Sequence, residues 1–452
     1  MLRFTARRSK PQLVAPARAT PRETKALSGL DDCAYLKHYV GGAEFFRPVR
    51  REHEPATDPA KAIRAALAEA LVHYYPLAGR LRETPGGRLV VDCTGEGAVF
   101  VEADADVRLE EFGHPPRPPF PCRQELLCDV DERTPVVDNH LVYMQLTRLR
   151  CGGFVLSAHM CHNVVDAFGM IQFIGAIANL ARGEARPTVL PVWSRENMFK
   201  PRTPPRVRRD IFPGCISAGV STADTTPPAD MVTRIFRFGP KEIATLRSYV
   251  PAHLARSCTR FELLTAFMWR CRTVALDYEP GPNGPPVRLV FRMNTRGKYP
   301  PIPIGYYGNT VLRPMVEAGV DDLCGKPLGH ALELVRKACR LSTTEEHVRS
   351  TVDMITALRA HRYLDVDRAF HVCDMTRLGE DGIDMGWAKR VGGGVAYVLD
   401  QMSYHLAFRN EDGEVTTLVS SDALPRPTLE RLAEEIPMWM TNDAKKIIPS
   451  SM

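Results

Sequence analysis

At 452 residues the chain is too long for one ordinary core, and at roughly 100–200 residues per domain two domains are expected. Hydrophobic residues make up 44% and charged residues 25%, an ordinary globular composition, and no run approaches the ~18 uninterrupted apolar residues of a membrane-spanning helix. The net charge of +6 suits small anionic ligands and falls far short of the dense basic stripe of a nucleic-acid binder.

The N-terminal residues carry no acid before Glu23, as in a transit peptide, but few serines. "FTARRSKPQLVAP" reads instead as a strand with a basic outer face, and no apolar stretch suggests a secretory signal. Thr57 to Tyr75 opens with Thr57 as cap candidate and Pro59 in the first turn. Ile63, Leu67, Leu71 and Tyr74 then recur at helical spacing, so an amphipathic helix is predicted. "GRLVVDCTGEGAVFVEAD" reads as two short strands. "HLVYMQLTRL", a turn at Gly152–Gly153 and "FVLSAHM" read as a hairpin. Phe168 to Arg182 returns to helical period, with Gly183 as its stop.

The chain then changes character. Residues 187–222 are proline-rich, punctuated by Lys200, Arg202, Arg206, Arg208 and Arg209, and read as an extended crossover with solvated charges. It would join an N-terminal α/β domain (1–186) to a C-terminal one (223–452). In the second half "TRIFRFG" and "VRLVFRMN" read as strands. "TRFELLTAFMWRCRTVAL" reads as a helix with Thr259 and Glu262 in capping-box spacing. "LGHALELVRKACRLS" is helical, strands surround "VAYVLDQMSYHLAF" and "GEVTTLV", and a last helix follows Pro427. The 12 cysteines include no CxxC pair and read as reduced, mostly buried thiols of a cytosolic protein.

"SAHMCHNVVDAFG", Ser157 to Gly169, concentrates the reactive side chains. A zinc site needs three or four converging ligands, yet His159 and His162 on an extended segment face opposite ways. Cys161 and His162 are adjacent and diverge, which disfavours a thiolate–imidazole pair and suggests that Cys161 is a buried packing residue. That leaves His162 with Asp166 where a strand gives way to a helix, a place where α/β proteins hold reactive groups. Imidazole can take and return a proton near neutrality. The pattern alone is weak: Asp166 could orient the imidazole or anchor the turn. "VGGGVAY" lacks GxGxxG spacing and no GK[ST] loop occurs, which argues against nucleotide-binding folds.

"HNVVDAFG" with "DMGWAK" (Asp384 to Lys389) resembles the HxxxDG and DFGWG markers of the plant BAHD acyl-CoA-dependent acyltransferases. The likeness extends in order through "LVAPARATPRETKALSGLDD", "HYYPLAGRL", "CTGEGAVFVEADAD", "FELLTAFMWRCR", "NTRGK" and "GYYGN". It implies two chloramphenicol-acetyltransferase-like α/β domains, a long crossover loop and an active-site channel at their interface. His162 would be the general base, and Asp166, its partner in the catalytic motif, would brace the turn by pairing with Arg296. Asp384, Gly386 and Trp387 would support the site from the second motif. Ser257 and Thr259 are weak candidates for contact with CoA, simple N-capping being the competing role for Thr259. Acyl-CoA would be a co-substrate, with no metal and no permanent cofactor, and the family default is a monomer.

Three departures stand out. Ala167 replaces the motif glycine, Met385 the phenylalanine, and Ala388 the last glycine. Cys373 and Met375 stand where hydroxycinnamoyl transferases that use shikimate carry threonine and tryptophan, which disfavours shikimate or quinate. "LSGLDDCAYLKHY" and "FFRP" resemble the benzyl alcohol O-benzoyltransferase and alcohol acyltransferase branch. Benzoyl-CoA and benzyl alcohol are therefore the leading pair. The alternatives are an acetyl or hydroxycinnamoyl donor, an amine acceptor, or an acyl-CoA-binding protein that has lost turnover. The resemblance puts Tyr35, His38 and Tyr39 where the family's acyl pocket often receives residues, with surface or core aromatics as the equal alternative.

Overall fold

The computed structural model describes residues 2–49, 57–130, 134–206, 208, 230–279, 281, 284–359, 367–396, 402–409 and 413–441. Two seven-stranded mixed sheets dominate it. The first runs Ala6–Arg8, Ala98–Ala105, Val142–Leu149, Phe154–Cys161, Tyr39–Pro48, Ala388–Val395, with Gln12–Val14 also on Ala98–Ala105. The second runs Ile235–Phe238, Val415–Ser420, Ser403–Arg409, Ala369–Asp374, Val287–Asn294, Val311–Leu312, with Met315–Ala318 also on Val287–Asn294. The proline-rich basic N-terminal stretch is two short strands rather than one.

Helices Pro59–His73 and Ala167–Ala181 lie together on the first sheet. Ile63, Leu67 and Leu71 are buried on one face of the former, as their spacing requires. Its cap is Asp58, one residue later than the expected Thr57: the Asp58 carboxylate accepts from the Ala60 N–H. Arg260–Leu276, Leu328–Leu341 and Arg426–Met438 pack on the second sheet. Thr259 and Glu262 form the expected capping box.

Alternation along the second sheet separates two faces. Leu289, Phe291, Phe370, Val372 and Val419 pack into the helix-covered core. Arg292, Cys373 and Tyr404, in register across three neighbouring strands, occupy the other face.

The boundary expected at residue 223 does not describe the sheets. Ala388–Val395, far into the second half, pairs antiparallel with Tyr39–Pro48 and forms the edge of the first sheet. The crossover is also less solvated than expected. Arg202 donates to Asp353, whose side chain is fully buried, at 2.6 Å, and to Glu346. Arg208 lies 3.6 Å from Glu346. Arg209 and the remaining crossover residues 207 and 210–222 lie outside the described residues. None of the helices among the described residues is long and apolar enough to cross a membrane.

Candidate active site

The strand Phe154–Cys161 ends and the helix Ala167–Ala181 begins within five residues. Every residue of the connecting HNVVD is pinned. His162 N–H donates to the His38 carbonyl at 2.9 Å, and its own carbonyl accepts from Asn309 Nδ2 at 2.7 Å. Asn163 Nδ2 donates to the Asp31 and Cys33 carbonyls, and Arg195 Nη2 donates to the Val164 carbonyl. The Val165 carbonyl accepts from His162 Nδ1 at 3.0 Å. That bond places the ring proton on Nδ1 and leaves the Nε2 lone pair open.

Asp166 does not bond the imidazole. It caps the helix by accepting from the Gly169 N–H at 2.8 Å. It also takes both arms of the Arg296 guanidinium, at 2.7 and 3.1 Å, and the Thr310 N–H at 3.2 Å. Arg296 in turn donates to the Tyr306 and Gly308 carbonyls. The HNVVD turn is thus tied to the segment Asn294–Thr310 of the second half. Ala167 is the first helical residue and is not among the positive-φ positions, so a side chain is unstrained there. Gly169 is the constrained glycine, since a Cβ would lie 2.1 Å from the Tyr307 carbonyl oxygen.

A second brace lies beneath the first and was not assigned from the sequence. Asp31 and Arg195, both with fully buried side chains, pair at 3.0 Å. Asp31 also accepts from Ser28 Oγ and from both the N–H and Nδ2 of Asn309. The Arg195 guanidinium stacks over Trp193 at 4.1 Å. Segments containing Asp31 and Asn309 entered the resemblance without roles. Arg195 sits in the proline-rich crossover, where nothing in the pattern marks it.

The electrostatics separate the candidates within the motif. Burial holds the His162 imidazole below its ordinary pKa, opposed by Asp166 and the Val165 carbonyl and reinforced by the charge of Arg292. Its ring meets His38 edge-on with centroids 5.1 Å apart. His38 is pushed down to about 3 by burial and by the nearby His162. Burial lowers His159 to about 4 and raises the Cys161 thiol to about 12. Cys161 is therefore an un-ionised packing residue at neutral pH. No group of three or more His, Cys, Asp or Glu side chains suited to a metal occurs among the described residues.

The second motif sits at the far end of the same helix, about 22 Å along its 15 residues. Trp387 Nε1 donates to the Ala181 carbonyl at 3.0 Å, and the indole stacks on Phe154. Asp384 accepts from the Gly386 N–H at 2.8 Å and pairs with Arg182. Gly386 has φ +72°, which a side chain would strain. Met385 is fully buried, and Ala388 opens the strand that joins the first sheet. Ser257 ends a short helix and bonds the His253 carbonyl and Arg336, while Thr259 is engaged as the N-cap. Both lie just before the helix Arg260–Leu276.

A family model described as "Transferase family" matches residues 5–437. The chain is 49% identical to "Spermidine hydroxycinnamoyltransferase 1" of Oryza sativa subsp. japonica over 90% of this chain and 93% of that protein. It is 42% identical to "Benzyl alcohol O-benzoyltransferase" of Nicotiana tabacum over 98% of this chain and 95% of that protein. The crystal structure of F. sporotrichioides TRI101 complexed with coenzyme A and T-2 shares the fold, with a TM-score of 0.66 at 15% identity over 91% of this chain and 97% of that one. With the family match spanning nearly the whole chain and relatives this similar, the chain belongs to the BAHD acyl-CoA-dependent acyltransferases.

Proposed function

We propose that the protein transfers an aromatic acyl group, benzoyl in the leading case, from its CoA thioester to the hydroxyl of a small alcohol. The observation that carries the reading is the Nδ1–H bond from His162 to the Val165 carbonyl, which leaves Nε2 as an open base. His162 Nε2 takes the hydroxyl proton as the oxygen attacks the thioester carbonyl. The tetrahedral intermediate collapses with cleavage of the C–S bond, and the imidazolium returns the proton to the departing thiolate. The products are the ester and free CoA, with no acyl-enzyme.

Asp166, Arg296, Asp31 and Arg195 act by holding the turn. Asp384, Gly386 and Trp387 hold the opposite end of the helix that the turn starts. In this reading Ser257 and Thr259 lie on the side where the CoA nucleotide is received, with Thr259 acting through the helix N-terminus it caps. An amine acceptor is the second reading, because the rice relative is named for spermidine.

The deciding experiment is a donor-by-acceptor matrix read by free CoA release, run with wild type and His162→Ala. The expected loss in kcat is roughly 10²–10⁴-fold. Equal inertness of both proteins across benzoyl, acetyl and hydroxycinnamoyl donors with alcohol and amine acceptors would refute the reading.

A further inference from the structure

The face of the second sheet opposite its helices holds one side chain that the chemistry above does not use. Register sets Arg292 beside Cys373, and Cys373 beside Tyr404, all turned away from the helix core. Arg292 Nη1 is buried and has no hydrogen-bond partner. Arg313, Cys373, Tyr35 and Tyr404 are the groups that act most on the guanidinium. Arg313 itself lies over the Tyr35 ring at 5.4 Å. A buried donor without an acceptor is costly to maintain.

Arg292 shares its strand face with Asn294, two residues on, and Asn294 Oδ1 accepts from Thr310 Oγ1 at 2.9 Å and from the Arg296 N–H at 3.0 Å, the two residues that hold Asp166. The Arg292 charge acts on His162, on His38 and on His371. The two carboxylates nearest the turn are already spent: Asp166 on Arg296 and Asp31 on Arg195. Arg292 therefore brings a buried cationic N–H without an acceptor to the strand that holds this network, while Asp166 and Asp31 are already paired elsewhere. A planar guanidinium fork suits an anionic oxygen and repels an ammonium.

We propose that Arg292, backed by Arg313, is a specificity-determining residue that receives an anionic oxygen, carboxylate or phenolate, of a bound substrate and turns cationic acceptors away. The inference rests on the acyl-transfer reading and narrows its substrates. The anionic oxygen can belong to the acceptor or to the acyl group, and the two arms of the test separate these sources.

The acceptor arm compares benzyl alcohol with 4-(hydroxymethyl)benzoate and 4-(aminomethyl)benzyl alcohol, which are matched in shape and differ in charge. The donor arm compares benzoyl-CoA with 4-carboxybenzoyl-CoA, whose carboxylate is ionised at neutral pH. In Arg292→Gln the preference for the anionic member of one arm falls by at least about tenfold in kcat/KM, while Arg292→Lys retains part of it. The arm that moves identifies the source. The acidic limb of the pH–rate profile moves upward in Arg292→Gln, because a cation that disfavours imidazolium has gone. A merely structural arginine would not produce that shift at unchanged thermal stability.

Binding of benzoate and of benzyl alcohol, followed by calorimetry, needs no turnover. Weakened benzoate binding in Arg292→Gln with benzyl alcohol binding retained supports the assignment even if no productive pair is found. Unchanged selectivity in both arms, or unchanged benzoate binding, overturns it. Inactivity of wild type with every pair refutes the acyl-transfer reading separately.

Discussion

At the scale of the residue, the proposed mechanism reduces the motif's chemistry to one imidazole nitrogen. Burial keeps His162 below its ordinary value, so the base stays unprotonated at neutral pH. The acidic limb of kcat/KM is expected below the ordinary imidazole value of about 6.5, as a pH–rate profile would show. Asp166 serves the backbone rather than the ring. Asp166→Ala leaves Arg296 facing a buried gap and should cost roughly 3–5 kcal/mol in denaturant unfolding. Ala167→Gly is the contrasting case. It restores the motif letter but removes a side chain from an unstrained helical position, so it should leave kcat unchanged and cost at most about 1 kcal/mol. His162, Asp166 and Arg296 were legible because a strand–helix junction and a family pattern marked them. Asp31, Arg195 and Asn309 were not. Arg195 bonds across 164 residues to Asp31, and Asn309 across 278 residues, and no local periodicity records such a contact.

At the scale of the element, segments with clean alternation or helical period were legible, and the hairpin around Gly152–Gly153 and the capped helix Arg260–Leu276 are where the pattern put them. Tyr39–Pro48 was missed, although it lies beside the His162 strand. Gly41 and Gly42 weaken its strand signal, and Glu44 puts a charge at a buried position. Ala369–Asp374 was missed as a strand because His371 and Cys373, on the face opposite the helices, break its apolar run. The glycines of "VGGGVAY", weighed only as a nucleotide-binding motif, belong to a strand. Gly393 has φ +146°, and a Cβ there would lie 2.1 Å from the Glu44 carboxylate. That carboxylate pairs with Arg390 at 2.5 Å, yet burial, with Glu380 and Asp381 nearby, still raises it to about 7. A raised carboxyl stabilises the fold at low pH, and that contribution is lost as pH rises toward and through about 7. Glu44→Gln should flatten this dependence. Between pH 5 and pH 8 the Tm of wild type should fall more than that of the variant.

At the scale of the whole molecule, the two halves are interleaved rather than joined end to end. The second half supplies Arg296 and Asn309 to the His162 turn and Ala388–Val395 to the first sheet. This predicts one cooperative transition. Trp193 and Trp387 report on the first core, Trp269 and Trp439 on the second. Tryptophan fluorescence and circular dichroism should therefore give coincident unfolding curves, and variants retaining only one pair of tryptophans should share the same midpoint. Separated midpoints would show that the halves melt independently. The shared strand also sets an order on synthesis. Tyr39–Pro48 gains one partner, Phe154–Cys161, after about 105 residues of further synthesis, while its other, Ala388–Val395, follows ~340 residues later, which at roughly 5–20 residues per second means tens of seconds. Throughout that interval the nascent chain exposes an open sheet edge next to the segment that will carry the base, so protection of that edge, rather than packing of either core, is the step that governs yield.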